Sequence, residues 1–127
     1  GRGAFGRGGA AAGEFRQPTA VAAHADELYV VDQMNDRIQV LAFDRDGQMQ
    51  FRRAFGGPGE APGQFSGPCG VAVVHGLVLV SEEKRLQVLT PADAPLQVVP
   101  LGQMLGGICA LDDRVCVADS GACQVHT

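Results

Sequence analysis

The chain has 127 residues, a formal net charge of −4 and 46% hydrophobic residues, and its basic residues, all but one of them arginine, are scattered rather than clustered. That argues against the broad basic footprint of a nucleic-acid-binding domain. No apolar run reaches the length of a membrane-spanning helix, and no signal-peptide pattern opens the sequence. The first elements in chain order are Ala4-Phe5-Gly6, a glycine-rich stretch from Gly6 to Gly13, and Gly13-Glu14-Phe15. Short strands are then expected near Thr19 to Ala23, Leu28 to Val31, Arg37 to Phe43 and Gln48 to Phe55, because these segments are alternating or β-branched and bounded by Gly, Pro and Asp. Asp44-Arg45-Asp46-Gly47 supplies the tight turn before the last of them.

The series then starts again. Ala54-Phe55-Gly56 and Gly63-Gln64-Phe65 copy the opening motifs at an offset of fifty, and Pro68, Val71, Leu79-Val80 and Glu82 copy Pro18, Val21, Tyr29-Val30 and Asp32. Beyond the acid the register slips by two, so that Arg37-Ile38-Gln39-Val40-Leu41 aligns with Arg85-Leu86-Gln87-Val88-Leu89. The connection before this strand is thus four residues in one copy (Gln33 to Asp36) and two in the next (Glu83-Lys84), both hairpin lengths. A third, weaker copy has Val115 to Asp119 answering Leu28 to Asp32 and Gln124-Val125 answering Gln39-Val40 across a short Ser120-Gly121 turn. Four antiparallel strands recurring at such a period make one blade of a propeller.

The motifs resemble the NHL repeat, whose pattern runs Gly-x-Phe-x-x-Pro-x-x-Val-Ala-Val, then Leu-Tyr-Val-x-Asp, then Asn-x-Arg-Ile-Gln-Val. Gly13 to Pro18, Leu28 to Asp32 and Asn35 to Leu41 match it almost throughout. The second copy keeps Gly63, Phe65, Pro68, Gly70 to Val73, Val80, Arg85 and Gln87-Val88, but has Glu82 for the usual Asp and lacks the Asn. The chain contains no Trp, so the Trp-Asp signature of a rival propeller repeat has no counterpart. The resemblance implies an all-β NHL-type propeller, here incomplete. The expected division is 1–12 as the end of one blade and its crossing loop, 13–56 and 57–101 as two whole blades, and 102–127 as part of another. Closed propellers have four to eight blades, so the remaining blades are expected from the same natural chain or from neighbouring copies.

Chemistry is sparse. Asp32, Glu82 and Asp119 recur at one strand end and invite a cation-site reading, but a carboxylate there also accepts neighbouring N–H groups and fixes the turn. The resemblance implies that structural role. Cys69, Cys109, Cys116 and Cys123 lack metal-finger spacing, and His24 and His75 have no adjacent ligand. The glycine-rich stretches have the composition of phosphate loops but no helix follows them. No nucleophile motif occurs, so neither cofactor nor metal is expected and the chain is not expected to be an enzyme. Unbridged thiols suit a reducing compartment, hence the cytoplasm.

Recognition is expected on the loop that differs most between copies: Gln33, Met34, Asn35 and Arg37 in one, Glu83, Lys84 and Arg85 in the next. Variable loops on a rigid scaffold carry binding, Met adapts its shape and Arg supplies several donors. The expected function is a non-catalytic scaffold presenting a rim to a protein partner. The resemblance also implies three alternatives: the substrate-recognition arm of a ubiquitin ligase, an RNA-binding propeller, and a piece of a metal-dependent propeller enzyme.

Overall fold

The structure is a computed structural model that describes residues 7–9, 11–16, 18–82, 85–90, 92–100, 105–111, 114–119 and 124–126. Its strands, in order, are β1 (Arg7–Gly8), β2 (Glu14–Phe15), β3 (Pro18–His24), β4 (Glu27–Asp32), β5 (Arg37–Phe43), β6 (Met49–Gly56), β7 (Gly70–Val74), β8 (Leu77–Ser81), β9 (Arg85–Leu89), β10 (Pro95–Pro100), β11 (Leu105–Leu111), β12 (Arg114–Asp119) and β13 (Gln124–His126). One 3-10 turn, Gln33–Asn35, lies between β4 and β5. No α-helix occurs among the described residues.

The strands form consecutive antiparallel meanders, β3-β4-β5-β6, β7-β8-β9-β10 and β11-β12-β13, with no strand shared between them. Successive copies therefore make separate sheets. The first strands of neighbouring sheets lie together, β3 against β7 and β7 against β11, which is the arrangement of blades about an axis. All four strands expected in the first copy are present within one or two residues of their predicted ends.

The core is the space between two sheets. Cross-strand pairing puts Ala20, Ala22, Tyr29, Val31, Ile38, Val40 and Phe55 on one face of the first sheet. It puts Val71, Val73, Val78, Val80 and Leu89 on one face of the second. These residues form a single buried cluster completed by Phe65. At roughly 1.5–3 kcal/mol for each fully buried aliphatic or aromatic side chain, this cluster is the main cohesive term between the sheets. Phe65 comes from the crossing segment and meets Phe55 edge-on, with ring centroids 6.2 Å apart. Gly56 makes that possible, because its φ of +102° suits glycine and a Cβ there would run into the Phe65 ring.

The two histidines are not equivalent in the structure, and the register expected for the third copy changes. His24 ends β3, whereas His75 lies inside the following copy's turn with φ +51°. The structural counterpart of His75 is Ala25, at φ +55°, so the two histidines occupy different positions. In the third sheet, β12 pairs with β13 through Asp119↔Gln124. Asp32 pairs in the same way with Arg37, so Gln124 takes the register of Arg37 rather than of Gln39. Four residues therefore separate Asp119 from β13, not the two expected from Ser120-Gly121, which lie outside the described residues.

Candidate functional site

Each of the first two copies carries a polar clamp that fastens the glycine-rich crossing segment to the sheet. Asp32 ends β4, is fully buried, and gathers four donors. The Arg16 N–H donates to Oδ1 at 2.7 Å, while Asn35 Nδ2, Arg37 Nε and Gln39 Nε2 donate to Oδ2 at 3.0, 2.7 and 3.1 Å. Arg37 also donates to the carbonyls of Ala11 and Glu14. Gln39 accepts from Gly13 N and donates to the Glu14 carbonyl. The N–H groups of Gly13 and Arg16 and the carbonyls of Ala11 and Glu14 thus meet side-chain partners here, as buried peptide groups require.

The second copy repeats the clamp with one change. Glu82 accepts from Ser66 N, Arg85 Nε and Gln87 Nε2 at 2.8 Å each. Arg85 reaches the carbonyls of Glu60 and Gln64, and Gln87 bridges Gly63 N and the Gln64 carbonyl. The connection is two residues shorter, the Glu82 N–H donates to the Arg85 carbonyl, and no Asn is available. A side chain one methylene longer reaches the same Arg and Gln. Glu14 and Gln64 complete the match, each accepting from the N–H three residues before it.

Burial by itself would raise the pKa of Asp32, but the donors from Asn35, Arg16, Arg37 and Gln39 outweigh it and hold the carboxyl below its ordinary value. Asp32 and Glu82 therefore act as buried acceptors that order two loops. Asp119 ends β12 at the equivalent place in the backbone. Among the described residues, no group of three His, Cys, Asp or Glu side chains is gathered closely enough to hold a metal.

The clamp revises the reading of the recognition loop. Arg37 and Arg85 were expected to offer donors to a partner; their guanidinium groups are instead spent on a buried carboxylate and on crossing-segment carbonyls. Asn35 is likewise occupied, by Gly9 O and Asp32. Glu83 and Lys84 lie outside the described residues. What the 3-10 turn presents outward is Met34, 61% exposed, next to Gln33.

That turn is fixed from both sides. The Met34 N–H donates to the Arg16 carbonyl and the Asp36 N–H to the Gln33 carbonyl. Asp36, at φ +52°, accepts from the N–H groups of Gly57 and Gly67. Gln33 lies 3.8 Å from the Cys69 sulfur, and the Thr19 hydroxyl 3.4 Å from the Cys69 carbonyl. Met34 thus stands on a rigid turn at the seam between the first and second sheets.

A second seam contact lies elsewhere along the same sheets, and the sequence reading missed it. Arg53 of β6 donates to Asp93 in the β9–β10 turn at 2.6 Å, to Glu27 at 3.1 Å and to the Tyr29 hydroxyl at 3.2 Å. Its guanidinium carbon also lies 5.7 Å from the centre of the Tyr29 ring. The hydrogen bond to Asp93 raises the Arg53 pKa further above its usual range, against the effect of burial. Burial raises that of Tyr29, with Arg53 opposing it. No sequence signal marks this cluster: the position of Asp93 is Gly47 in the first copy.

No protein-family model matches the chain. Over 81 residues it is 38% identical to Protein brain tumor of Drosophila melanogaster, a stretch that is 61% of this chain and 7% of that protein. Among solved structures, a chain of Kuenenia stuttgartiensis hydrazine synthase superposes with a TM-score of 0.60 at 12% identity, over 86% of this chain and 34% of that one. A luciferin-regenerating enzyme superposes with a TM-score of 0.67 at 13% identity, over 88% of this chain and 40% of that one. The chain therefore spans well under half the length of each. At such identities the likeness is one of fold, and fold transfers no chemistry. With its separate meandering sheets packed face to face, the chain is an incomplete β-propeller.

Proposed function

We propose that this chain is a non-catalytic interaction scaffold of NHL type, in which the seam between neighbouring blades presents Met34 and Gln33 to a protein partner. The observation that carries the reading is an exposed methionine on a turn held by the Met34 N–H to the Arg16 carbonyl, the Asp36 N–H to the Gln33 carbonyl and the Asn35 side chain to Gly9 and Asp32. A rigid mount lowers the ordering cost of binding, and a thioether moulds itself to an apolar pocket. The NHL-like motifs and the stretch shared with Protein brain tumor support the family assignment. The commitment of Arg37 and Arg85 to the clamp, with the net charge of −4, favours a protein over RNA. Its compartment is proposed to be the cytoplasm.

Selection of peptides from a displayed random library on the immobilised chain tests the proposal. The expected ligands lose binding to Met34→Asp and keep it on Leu96→Asp, a change at another exposed apolar residue. Ligands indifferent to Met34 would refute the site. Binding of single-stranded RNA with a steep salt dependence would instead favour the nucleic-acid reading. Stoichiometric metal in the purified chain would favour an enzyme.

A further inference from the structure

We propose that the Met34 surface takes an acidic peptide segment, with an apolar side chain of the partner resting on Met34 and a carboxylate of the same segment pairing with Arg16. This rests on the Met34 reading above and adds to it the partner's charge. The backbone brings the two residues together, since the Met34 N–H donates to the Arg16 carbonyl at 3.0 Å. Both residues are exposed. An extended chain advances about 3.3–3.6 Å per residue, so a short segment crossing the seam reaches both.

Arg16 differs from the other arginines of these two sheets in what its side chain touches. Arg37, Arg53 and Arg85 give their guanidinium groups to carboxylates of this chain, and Arg52 lies 3.8 Å from Glu27. The Arg16 side chain has no hydrogen bond or ion pair among the described residues; its backbone N–H alone joins the clamp, at Asp32. The carboxylates of the same stretch are already engaged, Asp32 by the clamp, Asp36 by the Gly67 N–H and Glu14 by the Ala11 N–H. An exposed guanidinium without an internal acceptor is a ready donor for a carboxylate, which it can hold through two parallel N–H bonds.

Comparison of the two copies separates this pair from the framework. Asp32, Arg37 and Gln39 recur as Glu82, Arg85 and Gln87, whereas Ser66 stands where Arg16 does and the shorter connection has no counterpart of Met34. The clamp therefore needs neither residue. Ser66 is exposed although the first sheet packs against the second, so this position faces outward with a neighbouring sheet in place. Met34 likewise stands at a seam that two sheets already close. A single free guanidinium on the described part of this surface suits one carboxylate rather than the run of phosphates that nucleic acid presents. The apolar neighbour supplies an anchor that charge by itself does not.

Peptides selected from a displayed random library on the immobilised chain test this when they are sequenced and their binding is measured by fluorescence anisotropy. The expected ligands carry an Asp or Glu within about three residues of an apolar side chain. Arg16→Gln should weaken them about two- to fivefold in low salt, and Arg16→Glu by more. Circular dichroism should not change, because the side chain supports nothing in the fold. Replacing the ligand's acid by Lys should restore binding to the Arg16→Glu variant. Arg45→Gln, at another exposed arginine, in the turn between β5 and β6, should leave binding unchanged. Ligands that need Met34 but carry no acid, or are indifferent to Arg16, would overturn the charge pairing and leave the Met34 site standing. Ligands indifferent to Met34 would overturn both. A random-sequence single-stranded RNA that displaces these peptides and loses its binding in Arg16→Gln would assign the cation to a phosphate, and would also overturn the proposal.

Discussion

Removing the Asp32 carboxylate is the most direct test of the clamp. Four donors converge on this fully buried group, one of them the guanidinium of Arg37, whose side chain is only 17% exposed. Asp32→Ala would leave that cation facing a hole, together with the Gln39 amide and the Arg16 N–H. Breaking a buried pair by deleting one partner costs about 3–5 kcal/mol, a large share of the roughly 5–15 kcal/mol that holds a domain together. The expectation is therefore a loss of that size in denaturant unfolding, with little change in the denaturant slope. Asp32→Ala combined with Arg37→Met should be less damaging than the two single losses added together, because the stranded charge goes with its partner. A coupling of roughly 1–3 kcal/mol is expected from the double-mutant cycle. The pH dependence has a definite sign. The folded-state pKa lies below the unfolded value of about 3.9, so the contribution is complete above that value and disappears as pH falls through the lower folded one. Asp32→Asn should flatten this part of the acid-stability profile. A loss below about 1 kcal/mol for Asp32→Ala, or a coupling near zero, would refute the clamp as a stabilising unit.

The other expectations concern the seam and the turns. Phe65→Ala should cost about 3–5 kcal/mol, measurable in the same unfolding experiment, since it empties a fully enclosed site against Phe55. The chain has a single Tyr and no Trp, so its phenolate absorbance reports Tyr29 alone. The group should titrate above 10, and higher still in Arg53→Met, because Arg53 lowers a pKa that burial raises. The stability linked to this raised pKa is complete below the unfolded value and lost as pH rises through the folded one. Ala25→Gly should stabilise by up to about 1 kcal/mol, because Ala25 sits at φ +55° in a two-residue hairpin turn. Met34→Ala should change stability by less than about 0.5 kcal/mol while removing partner binding, which separates a recognition residue from a structural one.

The sequence alone determined the repeat, the strand positions and the division into separate sheets, because period-two alternation, turn residues and a fixed offset are local properties of the chain. It also contained the clamp in plain view: Asp32, Arg37 and Gln39 return as Glu82, Arg85 and Gln87. Yet without distances, an arginine in a loop offers itself to a partner as readily as to a carboxylate five residues away. Only the tertiary structure decided between them, by bringing the crossing segment's carbonyls within reach of Arg37 and Arg85. The same holds for Arg53 and Asp93, forty residues apart and joined across a seam, and for Val21 and Val71, equivalent in sequence but differently covered. The physical reason is common to all three. Hydrogen bonding and burial depend on which surfaces meet when sheets stack, and a repeating sequence specifies the sheets more directly than it specifies their neighbours.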